Sequence, residues 1–210
     1  PLIGPTVDLT KKDRTVFNTV YEVGKMLSQN KYRISMAWFQ AVKSQAKFTQ
    51  QWLAQSFPQE LTAPRVPKEK SHLNVCVIGH EYILFDSFLS MNLLEKLANL
   101  NITVFTSEML SRKVINNELR DYPKKIFWDF ARDSLGAAYY YSKQEDIAGF
   151  INISSFGCGP DSMSNSMIMH YLKTCGNKPL LNLVIDEHTG EAGLNTRIEA
   201  FYDLLRRKAV

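Results

Sequence analysis

The order of apolar and polar positions divides the chain into a helical first part and an alternating second part. Apolar residues recur at helical spacing before Asn30 and again from Tyr32 to Phe57, which predicts two helices. The first helix carries Val16, Val20, Val23 and Leu27 on one stripe, and the second carries Ile34, Trp38, Ala41, Phe48 and Trp52. Because only a short turn joins them, we expect an antiparallel helical hairpin.

Residues 58–71, PQELTAPRVPKEKS, interrupt this pattern with three prolines and charges of both signs. Proline fixes its own φ and biases the preceding residue away from helix, so this stretch predicts a linker. We therefore place a domain boundary near Ser71. The helical hairpin and linker would occupy residues 1–71, as part of a larger helical region, and a second domain would occupy residues 72–210.

The second part alternates short apolar runs with helical patterns. Strands are predicted at Leu73–Gly79, Ile102–Ser107, Ile147–Ser154 and Leu180–Glu187, and helices at Asp86–Leu100, Ile126–Ser142, Ser162–Thr174 and Ala192–Lys208. Alternating strands and helices imply parallel pairing, and hence a three-layer α/β sandwich. A flavodoxin-like (Rossmann-like) sheet of about four strands, with the first strand beside the third, is the expected order.

Composition limits the function classes. The net charge of +4 is too small to favour nucleic acid or a membrane surface as a partner. No apolar run approaches the roughly 20 residues that a membrane-spanning helix needs. Three cysteines without C-x-x-C spacing favour a reducing cytoplasm over a disulfide framework. Since the chain starts at Pro1 without a signal-peptide pattern, we expect a piece of a longer cytoplasmic protein.

Three loops should meet at the carboxyl edge of the predicted sheet, where ligands bind in open α/β folds. They are GHEY (Gly79–Tyr82), FGCGPDS (Phe156–Ser162) and DEHTGEAG (Asp186–Gly193). The candidate crevice residues from these loops are His80, Tyr82, Gly157, Cys158, Gly159, Asp161, Ser162, Glu187 and His188. Asp86, at the start of the next predicted helix, and Arg197, on the last helix, complete the set.

Cys158 is the cysteine whose surroundings suggest chemistry. Gly157 and Gly159 permit unusual backbone angles, Pro160 suits a first helical turn, and Asp161 or Ser162 can satisfy the helix's unpaired N–H groups. The positive end of that helix would stabilise a thiolate. From these observations Cys158 could be a plain turn residue, a nucleophile or a metal ligand.

Two further observations bear on these alternatives. The phosphatase pattern of Cys, five residues and Arg fails, because Ser164 stands at the Arg position. A Cys–His pair with His80 or His188 has no local signature. In the last loop, the run Asp186, Glu187, His188 alternates strand faces, which favours turn and cap roles over a metal site.

INISSFGCGPDSM and PLLNLVIDEHTGEAGLNTRIEAFYDLLRR resemble the C-terminal domain of the 2-hydroxyacyl-CoA dehydratase D-component superfamily. They are closer still to its acyl-CoA dehydratase activase-related branch. GHEYILFDSFLSMNLLEKLANLNITVFTSEML also resembles that branch, which shows Gly, Tyr and Asp at the places of Gly79, Tyr82 and Asp86. The resemblance spans residues 72–208 and is vague over the first 70 residues.

The resemblance implies that Cys158 is one of three cysteine ligands of an iron–sulfur ([4Fe-4S]) cluster. In the dehydratases, that cluster receives one electron from an ATP-dependent activator and passes it to a 2-hydroxyacyl-CoA. This chain carries neither partner cysteines nor a Gly-rich ATP loop. We therefore expect the missing N-terminal part of the same protein to complete the cluster. The alternative function is a non-catalytic module that binds a nucleotide, a CoA moiety or a partner protein. The third hypothesis is a Cys-dependent hydrolase or transferase.

Overall fold

The computed structural model describes residues 4–8, 13–54, 57, 73–176 and 178–208. The chain divides into two compact units, Pro1–Gln51 and Trp52–Val210. The predicted linker over residues 58–71 lies outside the described residues, so the boundary near Ser71 stays a prediction. Within the described part, no helix combines the length and the apolar character needed to cross a bilayer.

The first unit is a pair of helices, α1 (Asp13–Leu27) and α2, which starts at Lys31 and continues to Leu53. A Cβ added at Gly24 would lie 2.5 Å from the Ile34 side chain, so the helices come close at that point. Farther from the turn, the Phe17 and Trp38 rings lie 5.7 Å apart. From the first contact to the second, the position moves back along α1 and forward along α2, which is the expected antiparallel hairpin.

The second unit is built on four strands, β1 (Leu73–Gly79), β2 (Ile102–Phe105), β3 (Ile147–Ser155) and β4 (Leu180–Ile185). Every pair of neighbours is parallel, and the order is β2-β1-β3-β4. The helices are α3 (Glu81–Leu84), α4 (Leu93–Asn99), α5 (Arg112–Glu118), α6 (Asp129–Ser142), α7 (Gly159–Tyr171) and α8 (Glu191–Lys208). The predicted parallel, flavodoxin-like fold is confirmed.

Two hydrophobic cores cover the two faces of the sheet and make the three layers. Val75 and Val77 of β1 face a core that includes residues of α4 and α8. Cys76 and Ile78 face the opposite core, which is filled from α6 and α7. Successive residues of β1 thus enter different layers, which explains why the strand is apolar without alternation.

The predicted helix Asp86–Leu100 is wrong over its first half, because α4 begins only at Leu93. The Asp86 carboxylate accepts hydrogen bonds from the N–H groups of Phe88 (2.9 Å) and Leu89 (2.8 Å), which closes a turn instead. Met91 and Asn92 then adopt positive φ values of 51° and 58°, which no α-helix continues through.

Candidate metal centre

The sheet order places β1 beside β3, with β2 and β4 outside them. From β1 the chain passes to β2 on one side, and it then crosses back to β3 on the other side of β1. The direction in which strands are added to the sheet therefore reverses between β1 and β3. Loops that follow β1 and β3 therefore border the crevice in which open α/β folds bind ligands. His80 follows β1 directly, and Cys158 comes three residues after the end of β3.

Cys158 lies at the junction between β3 and α7. Gly157 has φ of +78°, a left-handed conformation that turns the chain away from the strand and strains any other residue. The Cys158 N–H then donates to the Ser155 carbonyl (3.3 Å), and Cys158 itself is the N-cap residue of α7, with Pro160 in the first turn. The thiol is half-buried at the start of a helix.

The His80 ring, at the end of β1, packs near two aromatic rings. A Cβ on Gly79 would lie 2.7 Å from the Ile153 carbonyl oxygen, so only glycine allows the two strand ends this close approach. The His80 ring stacks on Phe130 of α6, with centroids 3.5 Å apart and planes at 16°. The Tyr82 ring lies 5.2 Å from it in a tilted arrangement. This packing fixes the plane in which the imidazole nitrogens point.

Asp161 occupies the first turn of α7, three residues after Cys158. Its side chain is 3% exposed, and its Oδ1 lies 3.0 Å from His80 Nε2. That contact is short but lacks hydrogen-bond geometry, and among the described residues neither carboxylate oxygen has a hydrogen-bond partner. Because ionised carboxylates are costly to bury without partners, this group invites a further cationic partner.

The three side chains converge on one point. A nitrogen of His80, the sulfur of Cys158 and a carboxylate oxygen of Asp161 all lie within 4.8 Å of one another. In a nucleophilic triad, the thiol and the carboxylate would use opposite nitrogens of the imidazole and lie far apart. Here sulfur and oxygen are near each other as well as near the imidazole. Such a convergence of S, N and O donors could hold a metal ion.

Tyr82 connects this cluster with a neighbouring cavity. Burial raises the pKa of the Tyr82 phenol above its ordinary value, and the negative charges of Asp161 and Cys158 add to this, while a hydrogen bond with the Ser155 side chain lowers it. The phenol therefore lies within the electrostatic reach of the three converging side chains. Its ring also lines a cavity of about 620 Å³ at the carboxyl ends of the strands.

This cavity is mainly apolar, with acidic groups at one side. Its lining consists of Tyr82, Ile83, Phe88, Leu89, Met91, Ser155, Phe156, Ile185, Asp186, Glu187, Thr189 and Glu191. Glu191 is paired with Lys96 at 2.5 Å, whereas the Glu187 side chain is 78% exposed. No basic side chain belongs to the described lining, so the cavity offers no charge partner to a phosphate.

The family of the chain is shown by a sequence comparison that covers the first unit and the first two strands. The family model for the CoA enzyme activase uncharacterised domain matches residues 1–110 of 210. The chain belongs to this family. No curated protein and no solved structure gives a significant match.

Membership of the activase domain family supports a role associated with a CoA-dependent enzyme. It supports the activase-related resemblance and not the dehydratase D-component specifically. The matched residues include His80 and Tyr82, whereas Cys158 and Asp161 lie beyond them. The first 70 residues, where the motif resemblance was vague, thus fall inside the matched range.

The other predicted residues of the Cys158 loop have structural contacts. Ser162 donates its hydroxyl to the Cys158 carbonyl at 2.9 Å. The Cys158 side chain makes no capping hydrogen bond, and among the described residues the Asp161 carboxylate accepts none. The Ser162 hydroxyl donates instead of accepting, so neither Asp161 nor Ser162 satisfies the helix N–H groups as expected. Asp161 turns instead towards His80. Gly159 is the first residue of α7, and a Cβ there would meet nothing within 4 Å.

The loop after β4 closes on itself. Asp186 accepts hydrogen bonds from Thr189 Oγ1 (2.6 Å) and the His188 N–H (3.1 Å), which lowers the pKa of its carboxyl. The His188 side chain is 85% exposed and lies 3.6 Å from Glu187. Arg197 donates to the carbonyl of Asn182. Asp186, Glu187, His188 and Arg197 all lie outside the converging cluster described above.

The remaining cysteines lie elsewhere. Cys76 is fully buried in the core on the α6 side of the sheet. Cys175 is exposed beyond the far end of α7, about 20 Å along a helix of this length from Cys158.

Sequence reasoning missed Phe130, whose ring orients His80. The signal for Asp161 was its spacing, since residues i and i+3 of a helix share one face.

Proposed function

We propose that this activase-family chain supplies Cys158 as one ligand of an iron–sulfur cluster that serves one-electron transfer in a CoA-dependent enzyme system. The observation that carries the proposal is the half-buried Cys158 thiol at the start of α7, beside the imidazole of His80 and the buried carboxylate of Asp161. A helix N-terminus favours the thiolate that a cluster requires.

Cysteine thiolates are the usual ligands of iron–sulfur clusters, and histidine replaces some of them in one known class. Cys158 fits one such position because its thiol is reachable at the rim of the sheet. Cys76 is inside the core and Cys175 is beyond the far end of α7, so neither fits a second position. The remaining thiolates therefore come from outside the described part, from the same polypeptide or from a partner. When bound, the cluster supplies single electrons.

The cavity beside Tyr82 supports an acyl group as the neighbouring ligand. Its apolar lining suits a hydrocarbon chain, whereas Asp186 and Glu187 repel the phosphates of CoA. An acyl-CoA would thus place its acyl part here and its nucleotide part elsewhere. An ATP-dependent activator would act as the electron donor.

Anaerobic purification of the intact protein tests the proposal. We expect stoichiometric iron and acid-labile sulfide, with a broad visible absorption that bleaches on reduction. Cys158→Ala should lose most of the iron, and the matched control Cys175→Ala should keep it. Absence of iron and sulfide after anaerobic reconstitution, or equal iron in both variants, would contradict the proposal.

The cavity itself favours a second candidate, a binding module without redox chemistry. A space of about 620 Å³ with an apolar lining is large enough for a small organic ligand or an acyl group. Isothermal titration with a fatty acyl-CoA and with free CoA separates the two candidates. Binding of the acyl-CoA by the iron-free protein, unchanged in Cys158→Ala, favours the binding module.

A further inference from the structure

The donor set at the β1–β3 crevice contains three different ligand types on three separate parts of the chain. His80 follows β1, Cys158 ends the turn after β3, and Asp161 lies in the first turn of α7. One imidazole nitrogen, one cysteine sulfur and one carboxylate oxygen form a set that transition-metal ions such as Zn²⁺ bind with three protein ligands and an open fourth position.

Asp161 provides the observation that goes beyond a lone cysteine at a helix start. Its carboxylate is 97% buried, since only 3% is exposed, and it points towards His80 and Cys158. Neither oxygen has a hydrogen-bond partner within the part of the chain that the structure describes. Such a group is costly to bury unless something cationic binds it.

We infer that His80, Cys158 and Asp161 together bind one divalent transition-metal ion, of the Zn²⁺ type, within this chain alone. This inference goes beyond the proposed cluster, because it needs no thiolate from another segment and assigns ligand roles to His80 and Asp161. The ion and the cluster would use the same Cys158 sulfur and are therefore alternative occupants of the site, so a chain without the iron–sulfur cluster can still hold the ion.

The geometry needs little adjustment. In a tetrahedral zinc site, a sulfur and a nitrogen donor lie roughly 3.5 Å apart. The three donor atoms are already within 4.8 Å of one another, and His80 Nε2 is 3.0 Å from Asp161 Oδ1. Cys158 stands between two glycines, and a Cβ built at either of them would meet nothing within 4 Å.

The surroundings are organised like the supporting shell of a metal site. The His80 ring is stacked on Phe130, and its plane is therefore fixed before any ion binds. The Tyr82 ring lies 5.2 Å from that of His80, and its phenol makes a side-chain hydrogen bond with Ser155. Tyr82 and Ser155 also line the cavity of about 620 Å³, so this cavity adjoins the cluster.

Titration of the reduced, metal-free chain with Co²⁺ tests the inference. Co²⁺ takes the same ligands as Zn²⁺ and reports thiolate ligation by a charge-transfer absorption. We expect one Co²⁺ per chain with that absorption, displaced by Zn²⁺. Cys158→Ser should abolish the charge-transfer band, and His80→Ala and Asp161→Asn should each weaken binding by at least about 100-fold.

Matched controls use residues of the same types outside the cluster. Cys175→Ser, His170→Ala and Asp121→Asn should bind Co²⁺ like the wild type. Circular dichroism establishes that each variant is folded. As a test that needs no variant, Zn²⁺ should slow alkylation of Cys158 by iodoacetamide while leaving Cys175 unaffected.

Two results would overturn the inference. One is a folded wild-type chain that binds neither Co²⁺ nor Zn²⁺ in stoichiometric amount. The other is a Co²⁺ site whose thiolate absorption survives Cys158→Ser or disappears in Cys175→Ser. Absence of an iron–sulfur cluster from the intact protein would contradict the proposed function but would not contradict this inference.

Discussion

His80 Nε2 lies 3.0 Å from Asp161 Oδ1, which joins the end of the first strand to the first turn of α7. The contact could be a structural ion pair or half of a metal centre. The absence of hydrogen-bond geometry and the nearby Cys158 sulfur favour the metal centre. The two roles differ in what happens when Asp161 is changed.

Asp161→Asn keeps the shape of the side chain and removes its charge. If Asp161 is a metal ligand, the metal-free variant should be at least as stable as the wild type, because it no longer buries a charge without a hydrogen bond. Wild type should gain about 2.7 kcal/mol at 100 times the dissociation constant for Zn²⁺, and the variant should gain almost nothing. Urea denaturation with and without Zn²⁺ measures both. A loss of about 3–5 kcal/mol in the metal-free variant would instead identify a structural ion pair.

Gly79→Ala tests the close approach of β1 and β3 below His80. The new Cβ would lie 2.4 Å from the Ile153 side chain and 2.7 Å from its carbonyl oxygen. Since a backbone atom cannot move aside cheaply, we expect a loss of about 1–3 kcal/mol or more in the free energy of unfolding. Gly193→Ala is the control, because a Cβ there meets nothing within 4 Å. Equal stability of the two variants would contradict the described strand contact.

Gly157→Ala tests the turn that presents Cys158. Its φ of +78° costs an L-residue about 1–2 kcal/mol, so the variant should lose that amount of stability and bind Zn²⁺ more weakly. Gly159→Ala should lose no stability, since Gly159 begins α7 and has open space around it. Thermal denaturation and Zn²⁺ titration compare the pair. Identical behaviour would show that the left-handed turn has no part in the site.

Glu108→Gln tests a buried carboxyl after β2. Burial raises the pKa of the Glu108 carboxyl, and its Oε2 is buried without a hydrogen-bond partner among the described residues. A carboxyl with a higher pKa in the folded chain binds its proton more tightly there. Its contribution is therefore greatest below the ordinary pKa and falls as pH rises towards the raised value.

The wild type should consequently lose more stability than Glu108→Gln as the pH rises through that window. Urea denaturation from about pH 4 to about pH 8, which brackets the ordinary carboxyl pKa, measures the difference. Glu145→Gln, at an exposed position, is the control and should keep the wild-type dependence. Parallel curves for wild type and Glu108→Gln would contradict the assignment.

The strands and their order could be predicted because strands that are buried on both faces of a parallel sheet appear in the sequence as continuous apolar runs. Leu73–Gly79 is apolar throughout, since its residues face two cores, and its predicted bounds equal those of β1. The prediction of a helix from Asp86 was wrong because leucine spacing does not reveal the hydrogen bond that the Asp86 carboxylate accepts from a backbone N–H of its own loop. Local hydrogen bonds overrode the hydrophobic period there.

The metal centre could be predicted only in part. Cys158 and His80 follow strand ends, so topology brings them to one crevice. Asp161 was expected to cap α7, because capping is the ordinary role of an acidic residue in a first turn. Phe130 is 50 residues from His80 in sequence, and no local pattern connects them. Contacts between distant segments require the folded chain.

X-ray absorption spectroscopy of the zinc-loaded chain tests most directly whether Cys158 is a metal ligand. We predict one sulfur neighbour at about 2.3 Å together with nitrogen and oxygen neighbours at about 2.0–2.2 Å. The sulfur neighbour should vanish in Cys158→Ser and persist in Cys175→Ser. A zinc ion surrounded by nitrogen and oxygen alone in the wild type, or a sulfur neighbour retained in Cys158→Ser, would contradict the account.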